Sequence, residues 1–179
     1  MSKKNLFHLM TIMIVAMLSI GFTSCGDDEE DNNDKGGAKT TVADPEGTIV
    51  ANLANDNNLE LSYRSSYNSR IKLNSSYNFH VESVTSYGTS EIISVGKVNG
   101  LGSIDQLPNG NWSNEVAAIP GNGYIIRQSV YHPSTGFPGS YAWTEKLYLR
   151  LYVVEWIKNT SGGIMGCTIK YQEYKPTDN

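Results

Sequence analysis

Residues 146–157 read KLYLRLYVVEWI, and apolar and polar side chains alternate over most of this stretch. Successive side chains of a β-strand point to opposite faces, so a period of two predicts a strand. One face is predicted to enter a hydrophobic core and carries Leu147, Leu149, Leu151 and Val153. The opposite face is predicted to be a half-hydrated aromatic surface and carries Tyr148, Arg150, Tyr152 and Trp156.

A second strand follows after a turn at residues 159–163, which contains Ser161-Gly162-Gly163. The side chains predicted to share one face of it are Met165, Cys167, Ile169 and Tyr171. Cys167 is therefore interpreted as a small buried hydrophobic residue. The alternative is a nucleophilic or redox-active thiol, which is disfavoured because no histidine is close in sequence.

The rest of the chain after residue 45 repeats this organisation of short alternating runs and turn residues. The predicted strands are Thr48–Leu53, Leu59–Tyr63, Tyr77–Val84, Glu91–Val98 and Tyr124–Val130. The pairs typical of hairpin turns are Asn99-Gly100, Asn109-Gly110 and Asn122-Gly123. Because no helical period is sustained after the N-terminal segment, we predict an all-β fold, with one antiparallel β-sandwich or barrel-like domain over residues 45–179.

The N-terminal residues 1–24 resemble an export signal. Lys3 and Lys4 precede the apolar segment Leu6–Phe22, whose 17 residues fall short of the roughly 20 that a membrane-spanning helix needs. The following Phe22-Thr23-Ser24-Cys25-Gly26 is similar to a bacterial lipobox, although the position of Phe22 usually carries a branched aliphatic residue. The resemblance implies that Cys25 is acylated and becomes the new N-terminus, inserted in a lipid bilayer. The alternative is a cysteine that merely lies near an ordinary cleavage site.

Residues 25–44 are predicted to form an acidic tether. Seven of the 18 acidic residues lie there, including the run Asp27–Asp31. Such a segment repels itself and cannot form a core. It is also similar to the acidic export signal of Bacteroidetes lipoproteins, which implies attachment to the outer membrane with the domain facing the cell exterior. A plain spacer and the periplasmic face are the alternatives.

Charge excludes one class of partner. The formal net charge is −4, and residues 45–179 carry 11 acidic against 10 basic side chains. A broad cationic face of the kind that binds nucleic acid is therefore not expected.

Several segments together resemble an uncharacterised domain family of Bacteroidetes surface lipoproteins, over roughly residues 44–175. They are Asp44–Thr48, Val95–Gly102, Trp112, Pro120–Tyr124, Leu151–Val154, Thr160–Gly166 and Ile169–Gln172. The resemblance implies no activity. Two departures are an additional Asn111 between Gly110 and Trp112, and a 13-residue insertion at Tyr131–Trp143 that predicts a long loop.

The sequence contains no pattern that indicates catalysis, a metal or a cofactor. G-x-S-x-G, P-loop and dinucleotide-binding motifs are absent. His80 and His132 are 52 positions apart, and the glutamates are scattered, although two of them could meet in space. Asp56, Asn58 and Glu60 alternate like calcium ligands, but a turn capped by Asn and Asp side chains explains Asn55–Asn58 more simply. A non-enzymatic protein is predicted.

Aromatic residues provide the remaining signal. The chain has 11 tyrosines and three tryptophans, whose rings suit partly hydrated recognition surfaces. Strands favour such residues anyway, but the predicted loop contains Tyr131, Phe137, Tyr141 and Trp143. These four residues are the candidate ligand-binding site, for a glycan or an envelope protein, unless the rings fold back to cap the domain. The alternative function is a structural or adhesive component that assembles through exposed strand edges.

Overall fold

The computed structural model describes residues 42–63 and 67–176. The predicted signal peptide, the predicted lipidation at Cys25 and nearly all of the acidic tether lie outside these residues. Within these described ranges, nine strands follow one another. They are β1 Ile49–Ala54, β2 Asn58–Ser62, β3 Asn68–Leu73, β4 Asn78–Ser83, β5 Gly88–Lys97, β6 Glu115–Ala117, β7 Asn122–His132, β8 Trp143–Lys158 and β9 Ile164–Tyr174.

The strands form two antiparallel sheets. Sheet A has the order β1-β9-β8-β7-β5, and sheet B has the order β2-β3-β4-β6. The apolar faces of the two sheets pack against each other, as in a β-sandwich. The all-β prediction is therefore confirmed, and of the two architectures left open the sandwich is the observed one.

The main core lies between the sheets and contains the predicted inner face of β8. Leu149, Leu151 and Val153 are fully buried, and Leu147 packs against the same cluster at its margin. Sheet B contributes Ile71 and Phe79 from β3 and β4. Burying one such side chain contributes about 1.5–3 kcal/mol, so this layer is the main source of stability.

Trp156 does not lie on the face that the alternation predicts. The pairing of β8 with β9 shifts between Val153 and Glu155, so that β8 contains one additional residue at this point. Such a β-bulge reverses the faces of all later residues. Trp156 therefore pairs with Cys167 and packs against the main core, where its ring contacts Tyr77 at a centroid distance of 5.7 Å.

Met165 is a second exception with the same cause. The register shifts again between Ile157 and Lys158, which leaves Met165 unpaired with β8 and 55% exposed instead of in the core. The neighbouring Gly166 is required by close packing, because a Cβ atom there would lie 2.4 Å from the carbonyl oxygen of Leu53 on β1.

The outer face of sheet A is partly covered, and Tyr148, Arg150 and Tyr152 are half-buried there, in agreement with the predicted half-hydrated aromatic surface. Residues 98–112, including a short 3₁₀ helix at Leu101–Ser103, cross this face. A second hydrophobic cluster forms beneath them, and Tyr148 and Tyr152 pack against it. Its buried members are Ile93, Leu101, Ile104, Ile125 and Tyr174.

This covering segment also changes the interpretation of three Asn-Gly pairs. Asn99-Gly100 and Asn109-Gly110 lie within the segment and not at hairpin turns. Asn122-Gly123 begins β7, where a Cβ atom on Gly123 would lie 2.7 Å from Cδ1 of Ile104. The predicted turn at Ser161-Gly162-Gly163 is confirmed, with a positive φ of 86° at Gly162.

Removing the hydroxyl of Tyr124 is expected to lower the free energy of unfolding by about 1 kcal/mol. This hydroxyl accepts a hydrogen bond from Ile119 N at 2.8 Å and donates one to Ala117 O at 2.9 Å. Tyr124→Phe leaves both backbone groups without that partner. Urea unfolding measures the loss, and the same change at the exposed Tyr141 is the control. Equal stabilities of Tyr124→Phe and Tyr141→Phe would contradict the expectation.

Candidate ligand-binding site

Strands β7 and β8 continue beyond their neighbours as a two-stranded hairpin. Strand β5 begins at Gly88, opposite Val130, whereas β7 and β8 remain paired as far as His132 and Trp143. The predicted 13-residue loop is therefore shorter than expected, because its ends are strand and only residues 133–142 connect the two strands. We call residues 131–145 the projecting hairpin.

The connection is held by its own polar contacts. The Ser134 hydroxyl donates to Ser140 O at 3.1 Å and lies 2.9 Å from the Ser140 hydroxyl. Ser140 N and Oγ both donate to Phe137 O, at 3.0 and 2.9 Å. Gly136 and Gly139 have φ values of 80° and 86°, which favour glycine. The connection is thus a defined turn structure that presents the side chains between these anchors.

All four predicted site residues are at the surface. Tyr131 is 48% exposed, Phe137 76%, Tyr141 83% and Trp143 55%. The alternative in which the rings fold back to cap the domain is therefore wrong. The four rings form no ring–ring contact with one another, so they line a surface and do not form a packed cluster.

Trp143 is held by a residue that the sequence analysis did not assign to the site. Its indole stacks on the imidazole of His132, with a centroid distance of 4.0 Å and an interplanar angle of 9°. The His132 ring meets Tyr67 edge-on at 6.0 Å, and its Nε2 lies 3.3 Å from Glu145 Oε2. One face of the indole is thus backed by a fixed partner, and the side chain remains half exposed.

Tyr131 lies on the other face of the projecting hairpin. Residues paired across an antiparallel ladder share a face, and Tyr131 pairs with Thr144 whereas His132 pairs with Trp143. Tyr131 N donates to Tyr87 O at 2.9 Å, and Tyr87 is itself exposed. Aromatic rings are therefore displayed on both faces of the hairpin, and Tyr87 extends one of these faces.

Near the base of the hairpin, several polar side chains are buried between the two sheets. Tyr63 Oη lies 2.9 Å from Ser69 Oγ, which lies 2.7 Å from Ser90 Oγ. Burial raises the pKa of Tyr63, so its phenol stays protonated at neutral pH. Gln128 Nε2 donates to Asn68 O, at 3.0 Å. These contacts connect β3 with β5 and β7 at the base of the hairpin, and hold that base in place.

The other residues that could react or bind a metal are a cysteine and two histidines. Cys167 is fully buried, as expected, and burial raises the pKa of its thiol to about 12. His80 and His132 lie on different sheets. Over residues 42–63 and 67–176, no three side chains among histidine, cysteine, aspartate and glutamate are grouped to hold a metal.

The suggested calcium ligands contact cationic side chains instead. Asp56 Oδ1 lies 3.5 Å from Lys72 Nζ, and Glu60 Oε1 lies 3.4 Å from a guanidinium nitrogen of Arg70. Asp56 is in a turn in which Asn57 N donates to Ala54 O at 3.2 Å. The predicted turn is confirmed at Asp56, whereas Asn58 and Glu60 belong to strand β2.

In the part of the chain that the structure describes, no helix is long and apolar enough to cross a membrane. Comparison with known proteins gave one finding. A family model described as a domain of unknown function (DUF5036) matches residues 34–179. Neither the curated proteins nor the solved structures gave a significant match. Because the model matches most of the chain, the protein belongs to this family of domains of unknown function.

Proposed function

We propose that this protein is a lipid-anchored cell-envelope protein that binds a glycan, or another envelope protein, through its projecting hairpin without catalysing a reaction. The observation that carries the proposal is the exposure of Phe137, Tyr141 and Trp143 on a hairpin that is itself well ordered by hydrogen bonds. Several large apolar side chains that are exposed on one structural element indicate an interaction site.

The geometry of Trp143 favours a glycan. A flat ring with one free face can stack on the apolar face of a sugar, and the ring gains most when it is already fixed before binding. The stack on His132 and the contact of His132 with Glu145 supply this fixation. An envelope protein would use the same aromatic surface as an anchor.

The anchoring part of the proposal is supported by the sequence alone. The lipobox-like segment before Cys25 and the acidic run Asp27–Asp31 favour lipidation and export to the outer face of the outer membrane, as in Bacteroidetes surface lipoproteins. A flexible chain as long as the 19 residues from Gly26 to Asp44 would span about 25 Å, and like charges would extend it further. A hairpin on the tethered domain would then be accessible to ligands outside the cell.

Trp143→Ala is expected to weaken glycan binding at least tenfold, since aromatic anchors at binding sites commonly contribute about 2 kcal/mol or more. A panel of host and plant polysaccharides is titrated into the full chain in mild detergent, and the change of tryptophan fluorescence identifies a ligand. Isothermal titration calorimetry then compares the variants.

Met165→Ala is the matched control, because Met165 is also 55% exposed but lies at the opposite end of β8 and β9. It should leave binding unchanged. A panel that contains no ligand for the wild-type protein, or equal binding by the Trp143→Ala variant, would refute glycan binding at the hairpin.

The alternative function, assembly through strand edges, is favoured by one observation. Strand β1 is an edge of sheet A, its sequence IVANLA contains no charge, and Ile49 and Val50 are at least half exposed. Natural proteins usually protect such edges with charges or proline, so an unprotected edge can accept a strand from another chain.

If β1 mediates assembly, Val50→Lys is expected to convert oligomers to monomers, because it places a charge on the edge strand. Sedimentation velocity of the full chain in detergent over a hundredfold concentration range measures this. Tyr141→Lys is the control, since it adds the same charge at an exposed residue of the β7–β8 connection, away from β1. A wild-type protein that remains monomeric at the highest concentration would exclude this function.

A further inference from the structure

A cleft of about 640 Å³ lies away from the projecting hairpin, at the edge of sheet A. It opens where β9 extends beyond the beginning of β1, which pairs with β9 only from Ile49 onward. Its volume is within the range typical of small-molecule sites. Its charged lining residues are Asp105, Arg150, Glu173 and Lys175, and its two phenols belong to Tyr171 and Tyr174.

Within the described residues, the positively charged Arg150 side chain donates hydrogen bonds only to neutral groups. Its Nε and one terminal nitrogen donate to Gln172 Oε1 at 2.9 and 2.5 Å, and the other terminal nitrogen donates to Ile104 O at 3.1 Å. Arg70 and Arg127 each pair with a glutamate, whereas Arg150 forms no ion pair with any residue of 42–63 or 67–176. Partial burial lowers the pKa of Arg150, and the nearby Tyr174 and Asp105 side chains oppose this shift without cancelling it.

Two N–H groups of the Arg150 guanidinium therefore remain available. A guanidinium has five N–H donors in a planar fork, and three of them are used by Gln172 and Ile104. Its position is fixed by these bonds and by the ring of Tyr174, which lies 5.7 Å from the guanidinium carbon. A fixed fork with free donors suits a carboxylate.

Tyr174 provides an independent indication of a ligand. Its side chain is more than nine-tenths buried, and its hydroxyl has no hydrogen-bond partner among the residues that the structure describes. A buried hydroxyl without a partner is costly, at about 1–3 kcal/mol. Tyr174 lines the same cleft, within electrostatic reach of Asp105 and Arg150. A ligand oxygen in the cleft would supply the missing partner.

We propose that this cleft binds a sugar acid, with the carboxylate on Arg150 and ring hydroxyls on Tyr174 Oη and Asp105. The lining combines two cations, two carboxylates and two phenols, which suits a ligand with one negative charge and several hydroxyl groups better than a multiply charged ligand. A dianionic phosphate fits less well, because Asp105 lies beside the guanidinium and would repel the second charge. This site is separate from the aromatic hairpin and does not depend on it.

The test uses the full chain in mild detergent and calorimetric titration with four small probes. Glucuronate and galacturonate carry the carboxylate, glucose is the neutral control, and glucose 6-phosphate is the phosphate control. Binding of at least one uronate, at least tenfold tighter than glucose and tighter than glucose 6-phosphate, is the expected result. Equal binding of glucose, tighter binding of glucose 6-phosphate, or binding of none of the four overturns the proposal.

Three variants locate the site. Arg150→Lys keeps the charge but loses the planar fork, and is expected to weaken uronate binding at least tenfold. Asp105→Asn keeps an oxygen that can accept a hydrogen bond from a ligand hydroxyl but removes the negative charge near the bound carboxylate, so it is expected to tighten uronate binding, and weaker binding would overturn the role given to Asp105. Tyr174→Phe is decisive if Arg150→Lys does not fold, because it removes only an unpartnered hydroxyl.

The Tyr174→Phe variant also separates binding from a structural role. Its thermal stability should equal or exceed that of the wild type, since no hydrogen bond is lost, while uronate binding falls severalfold. Unchanged binding would overturn the assignment of this hydroxyl and of the site. Trp143→Ala should leave uronate binding here intact, so that failure of the hairpin proposal and failure of this one are distinguished.

Discussion

Cys25→Ser is expected to abolish fatty-acid labelling of the protein completely. The lipobox-like segment implies that two or three acyl chains attach at this residue. One chain of myristoyl length gives an association constant of only about 10⁴ M⁻¹, so durable attachment needs more than one. Without the thiol no chain can be attached, and the mature anchored form cannot be produced. Labelling with an alkyne fatty acid, followed by coupling to a fluorophore, measures this directly.

The chain offers a matched control for this experiment in its other cysteine. Cys167 lies in the core and its thiol is fully buried, so Cys167→Ala should retain the full label. Protease treatment of intact cells reports on which side of the membrane the domain lies. A wild-type protein that carries no label would end the lipoprotein interpretation, and a labelled protein that is protected in intact cells but accessible in opened ones would place it on the periplasmic face.

The fold class could be predicted from sequence because alternation survives wherever a sheet has one face in the core. In β8, the period of two identifies Leu149, Leu151 and Val153 correctly. It fails at Trp156, which follows one register shift, and at Met165, which is the extra residue of another. Each shift adds one residue to one strand. A bulge leaves no mark in a pattern that assumes regular spacing, so every face assigned beyond it is reversed.

Elements that depend on distant contacts could not be predicted. Strand β3 shows no clear alternation of apolar and polar residues. Its inward positions begin with Ser69, which is buried but polar, and its outward positions carry Arg70 and Lys72. The covering segment at residues 98–112 has no period of its own. It is held by the second hydrophobic cluster, to which β5, β7 and β9 contribute. Its Asn-Gly pairs therefore suggested hairpins where the chain instead crosses a sheet.

The candidate site was partly predictable for a related reason. The aromatic residues were visible in the insertion, and their exposure agrees with a surface role. The stack of His132 on Trp143 was not visible, because it depends on how far β7 and β8 remain paired. Their ladder runs without interruption from Gly123 and Tyr152 to His132 and Trp143. Once the two strands are aligned in this register, the pair follows directly, and sequence spacing alone does not give the register.

Leu151→Ala is expected to lower the free energy of unfolding by about 3–4 kcal/mol, the usual cost when a buried leucine leaves a cavity. Leu151 is 0% exposed and pairs with Tyr124 on one side and Tyr171 on the other, so neighbouring strands prevent the site from collapsing. Leu107→Ala makes the same chemical change at a residue that is 36% exposed, and should cost less than about 1 kcal/mol. Guanidinium unfolding of both variants compares the two values. Equal losses would contradict this prediction. They would mean that the cost comes from the change of leucine to alanine itself and not from the close packing around Leu151 in the core.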